Sequence, residues 1–262
     1  MIKDIYSDSY YDVITEGWNK ISFSAISNEI LKDKRLSQSG NLILDVGCGT
    51  GLYFSILTKT SNIYYGIDSS VQAVKVALKN QINVIASSAE YIPFSDETFD
   101  YIFSTEVIEH VGSPEKMLNE IYRVLKPGAC GLITTTTYQF IIFHYLWVLS
   151  DLKFRLRDFI KYPLGYLSKS YRDEFVRLMY DFTGGHLWGF LKGDLIKLFS
   201  NSSLEVEEVY YLNTQPIIPF RLKGNGLQRI FRKIVDWSNA KFLYKEKASY
   251  GPNIVLKFRK LK

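Results

Sequence analysis

The sequence is poor in the residues that cross-link chains or chelate metals. Its 262 residues include only two cysteines and three histidines. The cysteines, Cys48 and Cys130, lie in glycine-rich or apolar stretches, so we expect no disulfide framework, and a reducing, cytoplasmic location fits. No group of cysteine, histidine and acidic residues has the spacing of a metal site, so we expect chemistry that does not depend on a metal ion.

Long apolar runs are also missing. The most apolar stretch, Tyr138–Leu149, is too short to cross a bilayer. The first twelve residues are acidic and aromatic and lack the apolar region of a signal peptide, so we expect no secretory leader. An apolar content of 47% is nevertheless ample for a large buried core. These features predict a folded chain, long enough for one large α/β domain or for a domain with a cap, and a location in the cytoplasm.

Positive charge is concentrated rather than spread over the chain. The net charge is +5, and Lys and Arg outnumber Asp and Glu by six to two in residues 138–172 and by eight to two in residues 217–247. Within the second segment, Gly226–Trp237 places apolar residues on one helical face and basic residues elsewhere. That pattern suits a helix in peripheral contact with an anionic membrane, and equally a helix docked on its own domain.

Short apolar runs alternate with helical periodicity over residues 41–137, which predicts a parallel sheet with helices on both faces. Ser113 is the expected N-cap of the last helix of this region, and Lys126–Gly128 is expected to end that helix. The predicted strands are Asn41–Val46, Ile63–Asp68, Ile82–Ser87, Phe99–Ser104 and Ala129–Thr136. The predicted helices are Leu52–Lys59, Val71–Lys79 and Pro114–Leu125.

The alternation breaks after residue 137 and resumes near residue 191. A helix at Lys192–Ser200 and strands at Leu204–Leu212 and Asn253–Arg259 complete the predicted sheet. We therefore divide the chain into an N-terminal helical lid at 1–40 and a core at 41–137. An aromatic and basic cap insertion follows at 138–190, and residues 191–262 complete the core around a basic insertion at 213–252.

The stretch LDVGCGTG, Leu44–Gly51, leaves the first predicted strand for a helix. Glycines there permit positive φ and let a ligand approach the backbone. The spacing is G-x-G-x-G rather than the dinucleotide pattern G-x-G-x-x-G, and Asp45 stands two residues before Gly47. Since a pyrophosphate is disfavoured next to a carboxylate, a ligand with a positive group is favoured over a nicotinamide dinucleotide.

These residues resemble motif I of the class I S-adenosylmethionine-dependent methyltransferases. Ser87–Phe94, Phe99–Val111 and Arg123–Thr137 resemble the motifs that follow in that family, in the same order, and the second of these is similar to the ubiquinone-type, small-molecule branch. The resemblance covers residues 42–137. It implies a Rossmann-like, seven-stranded α/β sheet with the last strand antiparallel, an inserted acceptor-side cap, and S-adenosylmethionine as cofactor.

The resemblance also assigns residues to the cofactor. Asp45 would lie near the cationic methionine end, and Asp68 would accept the ribose hydroxyls. A capping role for Asp68 is the alternative, although Ser69 or Ser70 could supply that cap. Glu90 would flank the adenine or remain a solvated loop acid, and Glu106 would bound the methionine pocket. The expected cofactor-binding set is Asp45, Gly47, Gly49, Gly51, Asp68, Ser69, Ala89, Glu90 and Glu106.

Histidine is the natural base near neutral pH. His186, in the stretch FTGGHLWGF, is our first choice for a base or an acceptor-orienting group. His110 is the second, with a structural hydrogen bond as its alternative. His144 lies in an aromatic run and is expected to be packed. The aromatic residues near the N-terminus resemble the lid that related enzymes fold over the cofactor.

The implied activity is transfer of a methyl group to an O or N atom of a small-molecule, sugar or lipid-linked acceptor. The segment STEV, Ser104–Val107, stands where enzymes acting on nucleic-acid bases carry a D/N-P-P-Y-like motif, which disfavours a nucleic-acid partner. The alternative is a non-catalytic regulatory or partner subunit that binds S-adenosylmethionine. The sequence contains no signal for the oligomeric state.

Overall fold

The computed structural model describes residues 26–33, 36, 39–57, 61–137, 187–212 and 253–262. Within these ranges, seven strands form one sheet in the order β3-β2-β1-β4-β5-β7-β6. Strands β1 to β5 are parallel, and β7 is antiparallel to both β5 and β6. The predicted sheet with an antiparallel last strand is therefore confirmed. The strands are β1 Leu42–Val46, β2 Ile63–Asp68, β3 Val84–Ala86, β4 Phe99–Thr105, β5 Leu125–Thr136, β6 Leu204–Leu212 and β7 Asn253–Lys260.

Helices cover both faces of the sheet. Leu44 and Val46 of β1 pack in one core cluster with residues from the helices α3 and α4, while Ile43 packs in a second cluster with residues 26–30 and α2. This alternation follows from the two-residue side-chain period of a strand. The labelled helices are α1 Phe54–Leu57, α2 Val71–Lys79, α3 Pro114–Val124 and α4 Lys192–Ser200. Residues 26–31 are helical as well.

The sequence predicts the first residue of α3 correctly, but it does not predict where α3 ends and β5 begins. Ser113 is the N-cap, and its side chain accepts a hydrogen bond from the amide of Lys116 at 3.3 Å. The expectation that Lys126–Gly128 lies outside the strand is wrong, because β5 begins at Leu125 directly after α3. Leu125 pairs with Phe99 and Cys130 with Tyr101, so the intervening residues bulge out of the ladder.

The described part of the predicted lid packs on a sheet face. Ile26, Ile30 and Leu36 are buried in the second core cluster. Glu29 is buried as well and accepts hydrogen bonds from Lys32 and from the Tyr210 hydroxyl on β6. Most of the two predicted insertions and the aromatic residues near the N-terminus lie outside the described residues. The division into lid, core and insertions therefore stays a prediction.

Candidate active site

The glycine loop follows the carboxyl end of β1 and is hydrogen-bonded to the carboxyl end of β2. Gly47 and Cys48 both donate their amides to the carbonyl of Ile67, at 2.8 and 2.9 Å. Gly47, Gly49 and Gly51 have φ values of 81°, 54° and 84°, which confirms that the loop uses the conformational freedom of glycine.

Two of these glycines are also closely packed against neighbouring side chains. A Cβ on Gly47 would lie 2.1 Å from Cγ2 of Val107, and a Cβ on Gly51 would lie 2.2 Å from Cδ1 of Ile82. The loop is therefore pressed against the segment after β4 and against the segment before β3. The sequence predicted that these glycines serve positive φ and ligand approach, and it did not indicate this internal packing.

Asp68, the last residue of β2, fastens the loop to the next helix. Its Oδ2 accepts the amide of Gly49 and its Oδ1 accepts the amide of Ser70, both at 2.8 Å. Ser70 is the N-cap of α2, since its hydroxyl accepts the amide of Ala73 at 3.2 Å. Burial raises the pKa of Asp68, and the two amides oppose that rise. Each carboxylate oxygen keeps a lone pair that can accept a hydrogen bond from a hydroxyl group. Ser69, the next residue, is exposed.

Asp45 is wholly buried on β1. Its Oδ2 accepts a hydrogen bond from the Tyr64 hydroxyl at 2.7 Å, whereas its Oδ1 has no hydrogen-bond partner among the described residues. Burial raises the pKa of Asp45 to about 8; the Tyr64 hydrogen bond opposes the rise and the charge of Asp68 adds to it. A buried acid with one unused oxygen is suited to a positively charged group.

The loop Ser87–Phe94 is held by α3. Ala89 is buried, and the Glu90 carboxylate accepts the amides of Ser113 and Gly112 at 2.9 and 3.3 Å. Glu90 is thus bound to the start of α3 rather than simply solvated. A contact of Ala89 or Glu90 with adenine stays a prediction.

A charged pair that sequence reasoning missed holds the same loop. Glu120 accepts the amide of Ile92 at 2.7 Å, and Arg123 donates to the carbonyls of Ile92 and Phe94, each at 2.8 Å. Glu120 and Arg123 also pair with each other on α3. Their spacing of three residues on a predicted helix indicated the pair, but nothing in the sequence indicated the loop carbonyls and amide that it binds.

Glu106 follows β4 and collects hydrogen bonds from two other strands. The hydroxyls of Thr134 and Thr136 donate to it at 3.1 Å, and the side-chain amide of Asn253 donates at 2.9 Å. Glu106 has a φ of 56°, a conformation that non-glycine residues rarely adopt and that often marks functional sites. Glu109 is buried and is bonded to Thr135 and Thr136.

The contacts of the two glutamates favour a shared proton. The Thr136 hydroxyl lies 3.1 Å from Oε2 of Glu106 and 2.9 Å from Oε1 of Glu109. One hydroxyl carries one proton, so it donates fully to only one of them, and a proton on a carboxyl group would satisfy the other contact. Burial, and then the charge of Glu109, raise the pKa of Glu106 well above its ordinary value. The sequence signal for this cluster was the run Thr134–Thr137, which was interpreted only as strand.

Replacing Glu106 with glutamine is expected to flatten the pH dependence of stability. A carboxyl group whose pKa is raised on folding stabilises the fold at low pH, and this contribution is lost as the pH rises above the ordinary value of 4.5. Between pH 5 and pH 8 the wild type should therefore lose stability relative to Glu106→Gln. Urea unfolding midpoints at both pH values measure this. The exposed Glu205→Gln is the control, and a Glu106→Gln profile parallel to wild type would contradict the shared proton.

The described structure connects the two histidine candidates only indirectly. His110 is partly buried, and its amide donates to the carbonyl of Val107 at 2.8 Å. His186 and His144 lie outside the described residues. Leu187, which follows His186 in the sequence, donates its amide to the carbonyl of Glu109 at 2.7 Å. The chain thus returns to the loop that carries His110, and both catalytic assignments stay predictions.

The described ranges of the chain contain no group of three or more His, Cys, Asp or Glu residues that is arranged to hold a metal ion. No helix in those ranges is long and apolar enough to cross a membrane. The expected independence from metal ions stays a prediction. The basic segment 217–247, on which the membrane contact was based, is outside the described residues.

Comparison with known proteins adds to this geometry. Residues 44–133 match the family described as Methyltransferase domain. A ubiquinone biosynthesis O-methyltransferase of Coxiella burnetii is 29% identical over 130 residues, which are 47% of this chain and 56% of that protein. The chain spans only 40% to 56% of the length of the curated relatives that it matches first.

Two solved structures share the fold at low identity. A Haloferax volcanii complex between the Trm112 methyltransferase activator and a candidate methyltransferase contains a chain with a TM-score of 0.66 and 14% identity, covering 97% of this chain and 95% of that one. The geranyl diphosphate C-methyltransferase of Streptomyces coelicolor, solved with S-adenosyl-L-homocysteine, has a TM-score of 0.57 and 13% identity, covering 91% and 81%. At these identities the likeness concerns the fold.

The sheet order, the glycine loop between β1 and β2, and the family match together define the class. Residues 44–133 match the methyltransferase-domain family, and the sheet to which they belong has the fold of the class I methyltransferases, which use S-adenosylmethionine. Within that class, the sequence is similar to the ubiquinone biosynthesis O-methyltransferases, as its fourth-strand motif predicted.

Proposed function

We propose that this chain is an S-adenosylmethionine-dependent methyltransferase that methylates an O or N atom of a small-molecule, sugar or lipid-linked acceptor. The observation that carries the proposal is the position of Asp68. Its carboxylate binds the amide of Gly49 in the glycine loop and the amide of Ser70 at the start of α2. An acid in this position supports a contact between Asp68 and the ribose hydroxyls of a nucleoside.

The residues of this chain would divide the work as follows. Asp68 binds the ribose hydroxyls, Asp45 faces the cationic methionine end, and the loop Ser87–Phe94 bounds the adenine. The cofactor supplies a methyl group made reactive by its positively charged sulfur. His186 is our first candidate for removing a proton from a hydroxyl acceptor, and His110 is the second. The protein must also align the acceptor and exclude water.

The acceptor class rests on similarity and on charge. The Coxiella burnetii relative is named for O-methylation in ubiquinone biosynthesis, which supports a small and apolar acceptor. The excess of Lys and Arg in residues 138–172 and 217–247 supports an anionic or lipid-linked acceptor and a peripheral contact with anionic membrane. A location in the cytoplasm agrees with the low cysteine content.

A non-catalytic role remains the alternative. The Haloferax volcanii neighbour was solved with an activator protein, which keeps a partner protein in consideration for this chain. Turnover distinguishes the two functions. Transfer of labelled methyl groups from S-adenosylmethionine to fractions of lipid and small-molecule extracts would exclude a purely regulatory subunit.

Purified protein is expected to bind S-adenosylmethionine and S-adenosylhomocysteine in the micromolar range, because the proposed site combines residues for the ribose, the adenine and the methionine end. Isothermal titration calorimetry measures both, and NAD is the matched control because it shares the adenosine moiety. Tighter binding of NAD than of either ligand would mean that the glycine loop holds a dinucleotide. Absence of binding in protein shown to be folded would refute the proposed function.

A further inference from the structure

Among the residues that the structure describes, the groups shown to act on the buried acid Asp45 carry either no charge or negative charge. Two of these groups are on β2. The Tyr64 hydroxyl donates a hydrogen bond to Asp45, and the charge of Asp68 raises the pKa of Asp45. Cys48 and Tyr53 follow β1 in the sequence. Burial raises the pKa of the Cys48 thiol. Burial and the charges of Asp45 and Glu106 raise the pKa of the Tyr53 hydroxyl. These facing groups include no cation.

The surroundings of Asp45 are also apolar and closed. The rings of Tyr53 and Tyr64 each pack on Phe103 of β4, with centroids 5.8 and 6.5 Å away. An ionised carboxylate in such a place needs hydrogen bonds or an opposite charge to offset the loss of water. Tyr64 supplies one hydrogen bond, and Oδ1 has no partner among the described residues. The neutral form of Asp45 is therefore favoured in the free protein.

We propose that cofactor binding and ionisation of Asp45 are coupled: Asp45 carries a proton in the free protein and releases it when the positively charged methionine end of the cofactor arrives. This inference rests on the proposed function. The O–H bond of the Asp45 carboxyl breaks, the proton passes to buffer, and the remaining carboxylate is stabilised by the cation. A positive charge within about 4–6 Å is sufficient for this effect, so direct contact is not required.

Coupling of this kind makes the affinity depend on pH. Below the pKa of about 8 the cofactor competes with a proton for the same carboxylate. The affinity should therefore fall by roughly tenfold for each pH unit below pH 7. Within this range the ligand α-amino group, with an ordinary pKa of about 8, is already charged, and a carboxylate near it favours that charged form, so the amine is expected to keep its proton on binding.

Tyr64 is the positioning residue for the ionised form of Asp45. Its hydroxyl donates to Oδ2 of Asp45, which stabilises the ionised form and leaves Oδ1 for the cation. The change Tyr64→Phe should weaken binding at pH 7 by roughly tenfold and move the pH at which binding weakens to a higher value. The matched control is Tyr65→Phe, the same change at the next residue, whose ring packs instead with Phe94 and Phe99.

The test is calorimetry of the full chain with S-adenosylhomocysteine at pH 6.5, in two buffers with different enthalpies of ionisation. The difference between the two binding enthalpies gives the number of protons released. We expect about one proton for the wild type and for Tyr65→Phe, and about none for Asp45→Asn. If Asp45→Asn does not fold or bind, the pH dependence of affinity in wild type and Tyr64→Phe provides the same test.

The outcomes separate this inference from the proposed function. Binding to the wild type without proton release would show that Asp45 is already ionised, which overturns the inference and leaves the function intact. Unchanged proton release in Asp45→Asn would assign the proton to another acid, Asp68 or Glu106, and would also overturn it. Failure of the wild type to bind either ligand would refute the proposed function, and the inference with it.

Discussion

The change Asp68→Ala is expected to weaken binding of S-adenosylhomocysteine by roughly 100-fold or more. The variant loses the carboxylate that would accept the ribose hydroxyls, and hydrogen bonds to a charged group contribute about 1.5–3 kcal/mol each. It also frees the amides of Gly49 and Ser70, which Asp68 now fixes at 2.8 Å. Calorimetric dissociation constants measure the effect, and thermal melting establishes that the variant is folded.

Two controls isolate the ribose contact in this experiment. Asp96 is an exposed acid on the loop before β4, and it pairs with Arg123 of α3. The change Asp96→Ala should leave binding unchanged. Adenosine and 2′,3′-dideoxyadenosine differ only in the ribose hydroxyls. Wild type should discriminate between them and Asp68→Ala should not. Equal discrimination in both proteins would show that Asp68 supports the loop without touching the ribose.

The change Gly47→Ala is expected to lower the free energy of unfolding by about 3 kcal/mol and to abolish cofactor binding. Alanine pays about 1–2 kcal/mol for a positive φ, and a Cβ 2.1 Å from Cγ2 of Val107 adds about 1–3 kcal/mol of overpacking. Gly40→Ala is the matched control, since Gly40 has a φ of 84° but no atom within 4 Å of the added Cβ. Denaturant unfolding compares the two.

The packing part of this cost can be tested separately. Val107→Ala removes the methyl groups that an alanine at position 47 would strike. The double variant with Gly47→Ala should therefore recover part of the lost stability, whereas Val107→Ala combined with Gly40→Ala should show additive losses. Equal destabilisation by Gly47→Ala and Gly40→Ala would indicate that the loop tolerates a side chain against Val107.

The sheet and half of the site could be predicted because their signals are local. The strand before Gly47, the acid that ends β2 and the serine cap of α3 each lie within a few residues of the element that they define. The threonine and asparagine partners of Glu106 could not be found in this way. Asn253 lies 147 positions from Glu106 in the chain, and only the pairing of β7 with β5 brings them together.

Charge states were equally inaccessible to sequence reasoning. Motif similarity identifies Asp45 as a residue of the cofactor site, but its protonation depends on burial and on the hydroxyl of Tyr64 nineteen positions away. The same holds for Glu106 and Glu109, because the Thr136 hydroxyl that lies between their carboxyl groups comes from another strand. Such properties arise from the assembled sheet edge, where several acids meet away from water.

The position of β7 between β5 and β6 has a consequence for how the protein is made. Strand β6 is synthesised before β7, yet it reaches the sheet only through β7, which follows residues 213–252. A nascent chain that has reached Leu212 can pair β1 to β5, but β5 keeps an open edge and β6 has no neighbour to join. Ribosome-bound chains halted before residue 253 should therefore expose a strand edge to chaperones, and release of β7 should close it.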